Sequence, residues 1–133
     1  MTVPLTKCIL DTDILIWLLR GKKGIVEQID KLSYKSTLSI SVISVAEIYK
    51  NIFPSELATT EALLDSHAII PVSTRIAKQA GLYFQEYHIK LKKLSLTDCL
   101  IASTSLVHDS ALITLNTKHF PMQNITVLDP KDI

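Results

Sequence analysis

Short apolar runs of strand length alternate with segments of helical period along the whole chain, and few architectures accept that order. Residues 8–10 are Cys-Ile-Leu, an apolar run closed by Asp11, which suits a buried strand. Residues 14–19 read as a short helix closed near Gly21, and Ile25, Ile29 and Leu32 mark a second, amphipathic one. Thr37–Ser41 alternates polar and apolar positions as a second strand. Ser44 opens the next helix, whose Val45, Ile48, Tyr49, Ile52 and Phe53 share a face until Pro54 stops it. Residues 56–66 form a further helix, and residues 68–72 a third strand that Pro71 confines to an edge or a strand end. Ile76, Ala80, Tyr83, Phe84 and Tyr87 define one helical face, and Leu96–Val107 is the most apolar helix, expected at the centre. Residues 111–115 and 125–128 close the chain as short strands. The expected fold class is α/β, with a central, mostly parallel β-sheet flanked by helices on both sides and right-handed crossovers.

A length of 133 residues makes this a single domain, 1–133, large enough to bury a core without staples. Apolar residues at 47% and charged residues at 20% exclude a disordered chain. Gly21, Gly24 and Gly81 are the only glycines and supply neither a Walker A loop nor a GxGxxG fingerprint. A net charge of +1 announces no nucleic-acid partner globally, so attraction to phosphate must come from local clustering. Cys8 and Cys99 lie in separate apolar runs without zinc-site spacing, and read as reduced core thiols of a cytosolic protein. Residues 1–7 hold no apolar stretch of signal-peptide length, and residues 14–19 fall far short of the ~20 that a membrane helix needs. The expectation is a soluble, cytoplasmic domain.

Four carboxylates interrupt the apolar pattern: Asp11 and Asp13 between the first strand and its helix, Glu47 among Val45, Ala46 and Ile48, and Asp98 ahead of Cys99, Leu100 and Ile101. Open α/β sheets bind ligands beyond the carboxyl ends of their strands, where Asp11 falls and where the Glu47 helix begins. Local structure offers these acids another use. Ser44-x-x-Glu47 and Ser95-x-x-Asp98 both fit a capping box, and Asp13 fits as the cap of the helix after it. Asp11 follows its strand with no helix start of its own. Three carboxylates converging to about 5 Å would repel by roughly 3 kcal/mol per pair at an effective dielectric near 20. The total, about 10 kcal/mol, matches the whole stability of a small domain, so convergence demands a cation or protons. Oxygen ligands without Cys or paired His select Mg²⁺ or Mn²⁺.

Leu10-Asp11-Thr12-Asp13-Ile14-Leu15-Ile16, then Ser41-Val42-Ile43-Ser44-Val45-Ala46-Glu47, then Leu96-Thr97-Asp98-Cys99-Leu100-Ile101-Ala102, then Leu112-Ile113-Thr114-Leu115-Asn116 with His119-Phe120, resemble the ordered motifs of PIN-domain ribonucleases. Length and spacing are most similar to the VapC-type toxins of toxin–antitoxin pairs, and the resemblance runs over essentially the whole chain. It implies that Asp11, Glu47 and Asp98 are the catalytic acids and hold a divalent metal, Mg²⁺ or Mn²⁺. It also implies that Thr12 and Ser44 support them and that Asp13 assists rather than ligates. The family pattern often carries a fourth acid where this chain has Asn116, Thr117, Lys118 and His119. The site is therefore one carboxylate poorer, which weighs against tight binding of two metals. His119 reads either as a contact to the scissile phosphate or leaving oxygen, or as a surface-loop histidine.

The activity implied is that of a metal-dependent endoribonuclease. Water attacks phosphorus in line, Glu47 or Asp98 accepts its proton, and the products carry a 5′-phosphate and a 3′-hydroxyl. Arg20, Lys22 and Lys23 follow the first helix and His88, Lys90, Lys92 and Lys93 precede Asp98, so basic clusters flank the acids as an RNA-landing surface. Solvated helix faces produce the same charge runs. The resemblance further implies a homodimer and a cognate antitoxin that masks the active site. Two other readings stay open. One is a haloacid-dehalogenase-type phosphatase with Asp11 as nucleophile and Asp13 as acid–base partner, although that class leaves Glu47 without a role. The other is a catalytically weakened PIN-like domain that binds RNA or antitoxin.

Overall fold

The computed structural model describes residues 5–133; residues 1–4, read above as a start without a leader stretch, lie outside them. The strands are β1 (Lys7–Leu10), β2 (Thr37–Ser41), β3 (Ala68–Ile70), β4 (Ala111–Ile113) and β5 (Val127–Leu128). The helices are α1 (Thr12–Leu19), α2 (Lys23–Ser33), α3 (Val42–Tyr49), α4 (Leu57–Asp65), α5 (Thr74–Tyr87) and α6 (Leu96–Val107). Every strand pair is parallel and the sheet order is β3-β2-β1-β4-β5, so the expected mostly parallel sheet is wholly parallel with β1 at its centre. Parallel neighbours need crossover connections, and the helices supply them.

Alternation along β1 builds two cores. Cys8 and Leu10 pack with Ile14, Leu15, Ile25, Ile29, Leu32, Ile48 and Leu64 on the face covered by α1–α4. Ile9 points the other way, to Ala80, Tyr83, Cys99, Ile101 and Ala102 of α5 and α6. Cys8 and Cys99 are thus free, buried thiols on opposite sides of the sheet. α6 buries Cys99 and Ile101 through Ser105 and is the central helix of its layer, as its apolar sequence anticipates. Among the described residues no helix is long and apolar enough to cross a membrane.

Several boundaries differ from the expectation for local reasons. α1 starts at Thr12 rather than residue 14, because Asp11 and not Asp13 is its N-cap. α3 starts at Val42 because the Ser41 hydroxyl accepts from the Ile43 N–H, and it ends at Tyr49, leaving Ile52 and Phe53 outside the helix. β3 stops before Pro71 and lies at the sheet edge, where a proline costs no ladder bond. β4 stops at Ile113 instead of 115, since the Leu115 N–H turns away to the Asp13 carboxylate. β5 begins at Val127, two residues later than the apolar run suggested. Arg20 closes α1 and Gly21 takes φ +68, the left-handed conformation that a glycine adopts without strain.

Candidate active site at the carboxyl edge of the sheet

Asp11 leaves the end of the central strand and is only 7% exposed. Its Oδ1 accepts from the Thr12 N–H at 2.8 Å, which caps α1, and its Oδ2 accepts from the Thr114 hydroxyl at 2.8 Å. Burial, then the charge of Asp13, then that of Asp98 push its pKa up to about 7, although the bonds from Thr114 and Thr12 pull the other way. The influence of Asp98 places the α6 carboxylate within electrostatic reach of Asp11 across a wide gap in sequence. Asp11 therefore does have a helix start of its own, and capping and a functional role coexist in one side chain.

Glu47 reaches the same end from the middle of α3, with no capping duty. The expected Ser44–Glu47 box does not form, because the helix is capped three residues earlier by Ser41. Ser44 is instead buried, and its Oγ lies 2.8 Å from the Thr12 hydroxyl, which lies 2.6 Å from Glu47 Oε1. An ionised carboxylate only accepts, so the single Thr12 proton goes to Glu47 and Ser44 supplies the proton of the other bond. Thr12 and Ser44 thus aim Glu47, as the resemblance implied.

Asp98 keeps its capping box: the Asp98 N–H donates to Ser95 Oγ at 3.0 Å and the Ser95 N–H to Asp98 Oδ2 at 3.2 Å. One carboxylate oxygen caps α6 and the other is left for the site. Asp13 is a half-buried brace. Its Oδ1 accepts from the Ile14 N–H at 2.7 Å, and its Oδ2 from the Leu115 N–H at 3.0 Å and the Asn116 amide at 3.1 Å. Burial raises its pKa against these bonds. With both oxygens engaged, Asp13 is poorly placed for the proton transfer that a phosphatase would ask of it.

Thr114 is the residue that sequence reasoning missed. It is fully buried, and its hydroxyl donates to Asp11 while accepting from the Asn116 N–H at 3.0 Å. A hydroxyl ending the apolar run 111–113 was the available signal. His119 closes a single-turn helix, Thr117–His119, after this segment, with its N–H donating to the Asn116 carbonyl. Arg20 faces a groove of about 280 Å³ that Glu47, Ile16, Ile48 and Phe53 also line. Arg20 and Lys22 lie over the Trp17 ring at 5.5 and 4.4 Å, Lys23 begins α2, and Lys90, Lys92 and Lys93 are exposed between α5 and α6. His88 serves α5 locally, stacked on Phe84 with ring centroids 4.5 Å apart.

The donors are all oxygens, gathered with excess negative charge at a partly buried edge, and that chemistry fits a hard divalent cation. Among the described residues no three His, Cys, Asp or Glu side chains stand close enough to grip an ion by themselves. Mg²⁺ needs no such cage, because it retains waters and takes one or two carboxylates together with substrate phosphates.

A parallel sheet carrying acids beyond the ends of β1 and β2 and at the start of α6 defines an α/β domain of the nuclease type. The PIN domain model matches residues 8–122, and the chain belongs to the PIN domain family. It is 35% identical over 114 residues to the ribonuclease VapC10 of Mycobacterium tuberculosis, covering 86% of each chain. Among solved structures it is similar to a toxin–antitoxin complex from Klebsiella pneumoniae, with 30% identity and a TM-score of 0.75 over 92% of this chain and 97% of that one. It also shares its fold with VapBC2 of Rickettsia felis bound to a promoter DNA fragment, at 22% identity and a TM-score of 0.81, covering 93% and 98%.

Proposed function

We propose that this chain is a metal-dependent endoribonuclease, the toxin of a toxin–antitoxin pair, with Asp11, Glu47 and Asp98 as its acids. The observation that carries the reading is Asp11, a buried carboxylate at the end of the central strand whose neighbours include two further acids. Nothing in the fold neutralises it with a cationic side chain within hydrogen-bond reach, and its partners are hydroxyl and amide donors. Asp11, Glu47 and Asp98 would hold Mg²⁺, or Mn²⁺ in its place. When bound, such an ion neutralises phosphate charge and lowers the pKa of the attacking water.

The chain's own residues do the rest. Thr12 and Ser44 hold Glu47 in one rotamer, so its free oxygen can accept a proton without reorganising. Thr114 holds Asp11, and the capping box holds Asp98. Arg20, Lys22 and Lys23 on one side and Lys90, Lys92 and Lys93 on the other supply phosphate contacts that seat the RNA. In-line attack by water leaves a 5′-phosphate and a 3′-hydroxyl. The solved toxin–antitoxin complexes support an antitoxin partner for this chain. Exposed Leu82, Ile89 and Leu96 support a second copy as a further partner, and an RNA substrate places the protein in the cytoplasm.

The test is cleavage of cellular RNA by the purified chain with Mg²⁺, with Mn²⁺ or with EDTA, followed by mapping of the fragment ends. Metal-dependent fragments with 5′-phosphates are expected. A folded chain that leaves RNA intact with either metal, or that produces 2′,3′-cyclic phosphates, overturns the reading.

A further inference from the structure

The fourth-acid position of the family pattern falls in a segment that this chain locks in place with an amide. The Asn116 side chain donates to Asp13 Oδ2 at 3.1 Å, and its backbone N–H donates to Thr114 Oγ1 at 3.0 Å. Asp13 can only accept, so Asn116 must present its NH₂ and not its carbonyl. The Leu115 and Ile14 N–H groups complete the ring of donors, and every Asp13 oxygen is engaged without an ion. A carboxylate at position 116 would instead set two like charges across that same contact, an arrangement that survives with a cation or a proton between them. The amide brings the positive end of its dipole to the place where a second cation would stand.

We propose that this chain holds one divalent ion, shared by Asp11, Glu47 and Asp98, and that Asn116, by donating to Asp13, closes the neighbouring position to a second. This rests on the metal-dependent reading above and deepens it. Charge supports the count. Three acids balance one ion with a negative charge to spare, whereas a second ion leaves a surplus positive charge until an RNA phosphate arrives. Three backbone or hydroxyl contacts hold the 114–116 segment independently of the amide, so exchanging the amide for a carboxylate leaves the local path intact.

The experiment counts bound Mn²⁺ per chain, from the free-ion electron paramagnetic resonance signal, without RNA. The wild type should bind one ion and Asn116→Asp two. The exchange variant Asp13→Asn/Asn116→Asp, which restores one amide and one carboxylate, should return to one. A wild type that binds two ions, an Asn116→Asp that stays at one, or an exchange variant that keeps two overturns the proposal. Should Asn116→Asp fail to fold, the wild-type count still decides between one and two. No bound ion in the wild type overturns the metal-dependent reading itself, whereas a one-ion chain that leaves RNA uncut overturns the ribonuclease reading and spares this one.

Discussion

The Thr12 hydroxyl donates to Glu47 Oε1 at 2.6 Å across 35 positions of sequence, tying the first residue of α1 to the middle of α3. Because Ser44 in turn donates to Thr12, the bond is directional and Glu47 is held before any ligand arrives. Thr12→Val keeps the volume and removes the donor. It should slow single-turnover cleavage at saturating Mg²⁺ by about tenfold, equivalent to about 1.4 kcal/mol, with Thr12→Ser recovering the rate. A Thr12→Val rate equal to wild type would show that Glu47 needs no such brace.

Asp98 performs two tasks that substitution can separate. Asp98→Asn keeps an oxygen acceptor for the Ser95 N–H and loses the charge, so it should fold normally and lose RNA cleavage. Ser95→Ala breaks the capping box from the other side and should cost about 1 kcal/mol of stability while keeping most activity. Urea melts and cleavage assays on both variants check the pair. An active Asp98→Asn would remove this residue from the site.

Asp11 should make the metal-free protein sensitive to pH. Its carboxyl titrates near 3.8 when unfolded and at about 7 when folded, so between those values the native state holds a proton that the unfolded state has released. Stability from this group is complete below pH about 4 and is lost as pH rises through 7, by on the order of 4 kcal/mol. Melts in EDTA should show that decline, and Asp11→Asn should flatten it. Mg²⁺ at tenfold excess over its dissociation constant should return about 1.4 kcal/mol to the wild type at pH 8, and much less to the variant. A wild-type profile with no fall between pH 5 and pH 8 contradicts the buried acid.

Periodicity carried the architecture because apolar alternation in residues 8–10 and helical spacing at Ile25, Ile29 and Leu32 are imposed by the layers they pack between. Caps were harder to read, since each one depends on which of several nearby acceptors wins. Ser41 and Ser44 both suit an N-cap, and the choice fell to Ser41 because Ser44 is drawn inward to Thr12. Asp11 and Asp13 posed the same ambiguity, and Asp13 was claimed by the Leu115 and Asn116 donors. These partners lie far along the chain, where no local pattern announces them. The acids themselves stood out because carboxylates in apolar runs need a reason. Thr114 did not, because a threonine at a strand end is ordinary.

The basic surface gives a prediction whose readout is salt. Arg20 and Lys22 share the Trp17 ring at 5.5 and 4.4 Å, contacts that restrict where both cations can go. Arg20 also lines the groove that contains Glu47, so a phosphate seated there would lie beside the proposed chemistry. Each phosphate contact to single-stranded nucleic acid contributes about 0.7 to the slope of log affinity against log salt. Arg20→Gln should therefore weaken RNA binding and reduce that slope by about 0.7, and raise KM more than it lowers kcat. Lys31→Gln, in the last turn of α2 and lining a separate groove with Pro130, is the control and should change neither. Binding titrations at several salt concentrations on wild type and both variants measure the slopes directly. Parallel lines for wild type and Arg20→Gln would mean that RNA approaches Glu47 without touching the α1 corner.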